Sequence, residues 1–230
     1  MKKYELTEEP KVIGGKTVFR IRALRSFGDI KAGDLGGFIE NERNLSHGGN
    51  AWVGGNAQVN GYAQVGGNAW VEDNAQVGGN ARVSGDAWVN GDARVNGDAW
   101  VEDNARVDGD AWVGGYARVN GDAQVVGDAR VDGNAQVGGD AWVGGNARVG
   151  GDGLINSDND YLCEKGLGSH NRSASFFKCK DGHIHVLCGC FSGNLDEFEN
   201  KVKEEHGNSK YAKEYLGFIE VVKTHFEVQQ

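Results

Sequence analysis

The stretch AWVGGNAQVNGYAQVGGN, residues 51–68, decides the fold because it holds three copies of one six-residue unit. Each copy begins Ala-x-Val and continues with a turn pair, Gly-Asn in two copies and Gly-Tyr62 in the other. The unit recurs without a break to Ala147 and Val149, with Asn or Asp as the usual last residue and Tyr116 as a second exception. A fixed short period of this kind is the signature of a repeat architecture, in which each unit packs on its neighbours.

The spacing within the unit predicts its geometry. Ala and Val are two residues apart, so both point to one side of a short strand, while the residue between them points to the other side. The Gly-Asn or Gly-Asp pair supplies a corner, since these residues tolerate the left-handed backbone region. Three units close a triangular coil, so residues 49–155 predict an all-β parallel β-helix with Ala and Val inside.

The repeat is similar to the hexapeptide-repeat superfamily, whose members form left-handed parallel β-helices. The resemblance covers roughly residues 49–155. The segments FRIRALRSFGD (19–29), DLGGFIE (34–40) and NLSHGGNAWV (44–53) resemble the YdcK-like branch, including copies carried by phages and prophages. One activity that the resemblance implies is acyl transfer, which needs a histidine base and a groove for an acyl-carrying cofactor. Because a fold hosts many functions, that activity has to be argued from the residues.

The segments on either side of the repeat predict two further parts. Residues 1–48 form an N-terminal cap, with a strand over 17–27 sealing the first coil, because repeat arrays must shield their terminal units. Residues 156–230 form a small α+β domain. In that domain we expect a β-hairpin around Asp181-Gly182 and a helix opened by a capping box of Asn194 and Glu197. A second helix follows from about Lys210.

Composition argues against a secreted, a membrane-spanning and a disulfide-rich protein. The chain has 230 residues, 38 Gly, one Pro and a net charge of −9. Its start lacks the apolar segment of a signal peptide, and no stretch approaches the roughly 18 apolar residues of a spanning helix. Four cysteines do not form a disulfide framework in a chain of this length. We expect a cytoplasmic protein with no membrane partner, in the host cytoplasm if a phage encodes it.

A cluster of cysteines and histidines could be read as a zinc site, since zinc takes both ligands. Its members lie within twelve residues: Cys179, His183, His185, Cys188 and Cys190. If Asp181-Gly182 forms a two-residue turn, Cys179 opposes Ile184, and the two histidines fall on the other face of the hairpin. The sequence then predicts buried thiols beside exposed histidines, with no metal. Cys190 has no base near it in the sequence that would activate it.

The repeat offers no catalytic base. There is no histidine between Ala51 and Ile155, and no loop interrupts the coil to form a pocket. General-base chemistry needs a group with a near-neutral pKa within reach of its proton. His47 precedes the first full unit, where we expect a cap residue, and His170 lies in a polar stretch after the coil. These observations favour a protein without catalytic residues or a cofactor.

The outward residues form columns, because residues eighteen apart stack on successive coils about 4.8 Å apart. The composition of these columns predicts an interaction surface. The first column consists of Trp52, Trp70, Trp88, Arg106, Gln124 and Trp142. The other two columns contain Trp112 and Trp100. Trp and Arg anchor many interfaces, and contiguous exposed apolar surface marks contact sites. We expect self-association, as a dimer or trimer, and a second protein partner; the alternative is that stacking only stabilises the sheet.

The coil is acidic. Between residues 49 and 152 there are twelve Asp and two Glu against six Arg, a net charge of −8. Asp92, Asp110 and Asp128 form a column at one corner. Such a rod would repel phosphates, so direct DNA binding is not predicted. Two interpretations of the acidic coil stay open: it mimics nucleic acid and blocks a basic protein, or its Asp residues serve turns and solubility.

The sequence therefore predicts a non-catalytic binding or scaffolding protein, associated with a phage or prophage, that acts through surfaces of the coil and the C-terminal domain. Two alternatives stay open. One is an acidic β-helical inhibitor of a host protein, and the other is a hexapeptide-repeat acyltransferase.

Overall fold

The computed structural model describes residues 2–228 and confirms the predicted parallel β-helix with its two flanking parts. The protein is a parallel β-solenoid of about seven turns. Antiparallel strands precede the solenoid, and a four-stranded antiparallel sheet with two helices follows it. Within residues 2–228, no helix combines the length and apolarity that a membrane crossing requires.

Eighteen two-residue strands, β4 to β21, build three faces of the coil, each with strands eighteen residues apart. The first face is Trp52–Val53, Trp70–Val71, Trp88–Val89, Arg106–Val107, Gln124–Val125 and Trp142–Val143. The second is Gln58–Val59, Gln76–Val77, Arg94–Val95, Trp112–Val113, Arg130–Val131 and Arg148–Val149. The third is Gln64–Val65, Arg82–Val83, Trp100–Val101, Arg118–Val119, Gln136–Val137 and Leu154–Ile155.

The interior of the coil consists of the repeated Ala and Val side chains, which are buried in every unit from Ala51 to Val149. Backbone hydrogen bonds join each coil to the next. The amide of Trp88 donates to the Ala105 carbonyl at 2.9 Å, and the amide of Asn90 donates to the Val107 carbonyl at 2.9 Å. Each coil thus depends on its neighbours for both its core and its backbone hydrogen bonds.

Most corners have glycine at the left-handed position, which Asp73 and Asp103 occupy in two others, and Gly97 illustrates two separate reasons for it. Its φ is +69°, in the left-handed region that side chains disfavour. A Cβ atom there would also lie 2.8 Å from the carbonyl oxygen of Gly115 on the next coil. Gly145, in the last full coil, has a similar φ of +61°, yet a Cβ there would meet no atom within 4 Å.

Substitutions at these two glycines distinguish the cost of a left-handed backbone conformation from the cost of a steric clash with the next coil. We expect Gly145→Ala to lower the free energy of unfolding by about 1–2 kcal/mol, the cost of the left-handed conformation. Gly97→Ala should cost about 1–3 kcal/mol more, because its methyl group meets the backbone of the next coil. Thermal unfolding followed by circular dichroism measures both variants. Equal losses of stability in the two variants would show that the distance to the next coil does not restrict side-chain size at Gly97.

The N-terminal cap closes the first coil. It contains β1 (Tyr4–Ile13), β2 (Lys16–Ala23), β3 (Leu35–Ile39) and a short 3-10 helix (Glu42–Asn44). Strand β3 pairs in parallel with Gln58–Val59, so the cap continues the second face. Although neighbouring glycines are typical of turns, Gly36 and Gly37 lie buried within β3.

Two buried side chains plug the open end of the coil. The hydroxyl of Tyr4 donates to the Leu45 carbonyl at 2.7 Å, and the ammonium of Lys3 donates to the Ala51 carbonyl at 2.7 Å. Burial, together with the nearby charge of Arg25, lowers the pKa of Lys3 to about 8. The cap therefore satisfies carbonyl groups that have no preceding coil to pair with.

The C-terminal domain packs its sheet against the last coil. Its strands are β22 (Tyr161–Leu167), β23 (Arg172–Lys178), β24 (Ile184–Cys188) and β25 (Phe191–Asn194). A 3-10 helix (Asp158–Asp160) precedes them, and helices α1 (Leu195–His206) and α2 (Lys210–His225) follow. Phe177 and Cys179 face the core of the coil, while Phe176 and Val186 face the helices. The predicted capping box of Asn194 and Glu197 is confirmed.

The predicted register of the hairpin is wrong by one residue. Lys178, not Cys179, opposes Ile184, and the amide of Cys179 donates to the carbonyl of His183 at 2.9 Å. The loop has three residues and ends on Gly182, whose φ is +87°. A three-residue loop that ends in a left-handed glycine is the next most common hairpin connection after the two-residue turn.

Candidate functional sites on the coil and the C-terminal sheet

The first face carries an exposed aromatic ladder. The rings of Trp70 and Trp88 stack with centroids 6.2 Å apart and an angle of 25° between their planes. The guanidinium of Arg106 lies 5.8 Å from the centroid of the Trp88 ring. Parallel pairing aligns the three residues on successive coils. Trp88 is 44% exposed and Trp70 is half-buried, so it is the Trp88 end of the ladder that faces solvent.

Trp52 does not belong to the exposed ladder, which corrects the predicted surface of three solvent-facing indoles. It is only 2% exposed and packs edge-on against Phe27 of the N-terminal cap, with ring centroids 5.5 Å apart. Gly36 makes room for it, since a Cβ there would lie 2.6 Å from the indole. The cap thus already covers the end of the column.

The tryptophans on the other two faces are flanked by arginines. Trp100 lies between Arg82 and Arg118, whose guanidinium carbons are 4.9 and 5.1 Å from its ring centroid. Trp112 pairs in register with Arg94 and Arg130 on its two neighbouring coils. Both indoles are partly buried. The first face is therefore the one where tryptophan stacks on tryptophan.

Trp142 lies at the far end of the first face, separated from Arg106 by Gln124. It is 56% exposed and borders a cavity of about 600 Å³ between the last coil and the C-terminal sheet. The hydroxyl of Tyr161 donates to the Trp142 carbonyl at 2.7 Å, which ties the sheet to this end of the coil. Trp142 is exposed as predicted but is not continuous with the ladder.

Replacing tryptophan by glutamine at positions 52 and 88 of one column compares the stability that a side chain packed against the cap contributes with that of a partly exposed one. Trp52→Gln should lower the free energy of unfolding by about 3–5 kcal/mol, because it empties a buried site. Trp88→Gln should change it by less than about 1 kcal/mol, since nearly half of the indole is exposed and its removal opens no buried cavity. Chemical denaturation of both variants measures the difference. A Trp52→Gln protein as stable as Trp88→Gln would refute the packing role.

The acidic corner column lies on the surface as a run of three exposed carboxylates, Asp92, Asp110 and Asp128. At other corners, an asparagine donates to the Asp of the next coil, as Asn80 does to Asp98 at 2.8 Å. Within the acidic column only Asp128 receives such a bond, from Asn146 at 3.3 Å. Negative charge is therefore concentrated at this corner, next to the first face.

The two histidines considered for acyl transfer have different surroundings. His47 stacks on Tyr4 with ring centroids 4.4 Å apart, and its Nδ1 accepts from the Lys3 amide at 3.3 Å. It also borders a cavity of about 590 Å³ that includes Arg82. His170 is exposed in the turn between β22 and β23. His47 thus acts within the cap, as its position before the first unit suggested.

The shifted hairpin register brings Cys179, His183 and His185 onto one face, which contradicts the prediction that they cannot converge. One potential ligand atom from each lies within 4.8 Å of the others. Nε2 of His183 is 3.5 Å from Nδ1 of His185. Cys188 lies on the opposite face of the sheet and packs toward the helices. Cys190 is exposed beyond the end of β24.

The outer nitrogens of both histidines already have partners. Nδ1 of His183 bonds to the Asp181 carboxylate, and Nε2 of His185 lies 2.9 Å from the Ser192 hydroxyl. Burial and the adjacent His183 lower the pKa of His185. Burial, with the nearby charges of Asp181 and Asp152, raises the pKa of the Cys179 thiol to about 11. His185 is thus poised to be neutral, the form that binds metals.

A cavity of about 630 Å³ adjoins this cluster. Its other walls come from the last corner of the coil and from the start of α1, and they include Asp152, Asn194, Asp196 and Glu197. The sequence placed the cysteine and the histidines on opposite faces because a single extra loop residue exchanges the two faces of the hairpin, and it carried no signal of the cavity.

The family comparisons concern the repeat. A family model described as the YdcK β-solenoid repeat matches residues 75–91. This match spans about one coil and, together with the fold, supports membership of a β-helix repeat class. No curated protein shows a significant match to the chain. The solenoid fits a scaffolding or binding role.

Proposed function

We propose that the protein is a non-catalytic binding or scaffolding protein that pairs with a second copy of itself through the first face. The contact surface, which we term the Trp patch, consists of Trp70, Trp88 and Arg106. The observation that carries this proposal is the stacked Trp70–Trp88 ladder, in which Trp70 is half-buried and Trp88 is 44% exposed, whereas the cap buries Trp52 of the same column. An exposed aromatic surface that ends in arginine has the composition of an interface anchor.

A second copy suits this surface because of its charges. Arg106 is exposed and lies beside the acidic corner, where Asp110 follows it in the same coil and Asp92 lies one coil before. In a two-fold pair each partner presents the same patch to the other. A pairing centred near Trp88 would stack indoles in the middle and set each Arg106 against the acidic corner of the other copy. Burying one indole fully is worth on the order of 3 kcal/mol.

Replacing both indoles of the Trp patch tests this pairing. The Trp70→Gln/Trp88→Gln protein should fold normally, because Gln58, Gln64 and Gln76 already occupy equivalent outward positions. Its dimer dissociation constant should rise on the order of 100-fold or more, from the loss of about 3 kcal/mol of burial. Light scattering across a dilution series measures the mass.

The matched control is Trp100→Gln, which removes an indole that two arginines of its own chain enclose. Its mass should equal that of the parent protein at every concentration. Self-association through the Trp patch is refuted if the double variant keeps the mass of the parent protein, or if Trp100→Gln reduces it equally.

A second candidate function is inhibition of a basic protein by the acidic corner column. It is favoured by the three consecutive exposed carboxylates of Asp92, Asp110 and Asp128. The similarity of the opening segments to phage-borne copies supports a phage or prophage origin and action in the host cytoplasm. Changing all three residues to Asn should abolish a salt-sensitive complex with a basic host protein, since screening weakens exposed charge pairs. A complex that survives both the triple change and high salt would contradict this role.

Acyl transfer is the remaining alternative, with His47 beside its cavity as the candidate base. Its Nδ1 is already engaged by the Lys3 amide, which favours the cap role. Isothermal titration with an acyl-carrying cofactor distinguishes the two, because a binding protein of the kind proposed should release no heat of binding.

A further inference from the structure

We propose that Cys179, His183 and His185 form a zinc site whose fourth coordination position opens into the adjoining cavity. This site is independent of the Trp patch and of the acidic corner column. Its ligand is a divalent metal ion of borderline softness, for which zinc is the typical occupant of a mixed cysteine and histidine set.

The donor geometry fits a tetrahedral ion. Zinc bonds of about 2.0–2.3 Å keep the ligand atoms roughly 3.3–3.8 Å apart. The two facing histidine nitrogens are 3.5 Å apart, and all three potential ligand atoms lie within 4.8 Å of one another. A small rotation of the side chains brings the three donors around one ion. Three protein ligands with an open fourth position is the arrangement found in zinc sites that bind exchangeable ligands.

Partners in a second layer hold both histidines in the required orientation. Asp181 accepts from Nδ1 of His183, which leaves Nε2 of that ring directed at His185. Ser192 engages Nε2 of His185, which leaves its Nδ1 directed at His183. Ligating histidines almost always bond through their second nitrogen in this way, and the bond sets the tautomer. Two rings that are both oriented toward one point indicate a site built around that point.

The third ligand is held rigidly by the end of the coil. Cys179 forms a bridge with Gly153, and the amide of Lys180 donates to the Asp152 carbonyl at 3.1 Å. The thiol is buried, whereas the two histidine rings lie nearer the surface. The ion would therefore sit at the junction of the coil and the C-terminal sheet, with its open position toward the 630 Å³ cavity. Water is the ligand that this position accepts, since the carboxylates of Asp152, Asp196 and Glu197 line the cavity, and azide serves as a coordinating probe that can replace it.

Cobalt(II) titration of the full chain, stripped with a chelator, tests the site. Cobalt occupies zinc sites and adds a thiolate charge-transfer band when cysteine is a ligand. We expect one equivalent to bind with that band, and Cys179→Ser to abolish the band. His183→Gln changes a more exposed ligand and should weaken binding at least tenfold while the fold, checked by circular dichroism, is kept. Ser192→Ala should weaken it by about 10–100-fold.

The controls are Cys190→Ser and His170→Gln, which alter exposed residues outside the cluster. Both should leave the cobalt spectrum and affinity unchanged. The zinc site is refuted if the parent protein shows no charge-transfer band, or if that band persists in Cys179→Ser. It is equally refuted if the controls lose binding as much as His183→Gln does.

Azide tests the open position on the same sample. Binding of azide to a fourth coordination position should shift the visible absorption of the bound cobalt in a saturable way. A cobalt spectrum that azide leaves unchanged would overturn the open position and indicate a site closed by another residue.

Discussion

The close stacking of successive coils is the constraint on which the rest of the structure depends. At most inner corners, such as that at Gly97, the backbone lies so near the next coil that an added Cβ would fall within about 3 Å of it. The Ala and Val side chains then fill an interior whose width is fixed by three two-residue strands. Because every coil is nearly identical inside, the outward position of each unit is free to vary, and that is where the three faces acquire their chemistry.

The ends of the coil are where uniform stacking fails, and both ends use side chains to replace the missing neighbour. At the first coil, Lys3 and Tyr4 donate to carbonyl groups that no preceding coil can satisfy. At the last, the hydroxyl of Ser175 accepts from the Arg148 amide at 2.8 Å, and Phe177 covers the core. The exposed part of the first face is thus set by how far each cap extends, which explains why Trp52 and Trp88 differ.

The sequence predicts the coil well because its period fixes both the strand positions and the inward residues. The sequence also predicts the capping box at Asn194, because that interaction joins residues within one stretch of four. It could not predict the burial of Trp52, because Phe27 reaches it through the folded cap rather than through any local pattern. The column through Trp70 and Trp88 follows from the eighteen-residue spacing. Which of its tryptophans are exposed depends on how far the folded N-terminal cap extends over the first face.

The hairpin of the C-terminal sheet shows how a local ambiguity can decide chemistry. The residues Asp181-Gly182 fit a two-residue turn and the end of a three-residue loop equally well, and the two readings place alternate side chains on opposite faces. In the observed register, Phe177 and Cys179 cover the end of the coil with His185 opposite Phe177, while Val186 packs with Phe176 under the helices. The same pairing of β23 with β24 therefore places Phe177 over the end of the coil and brings Cys179, His183 and His185 together. The C-terminal cap and the candidate metal site depend on one strand register.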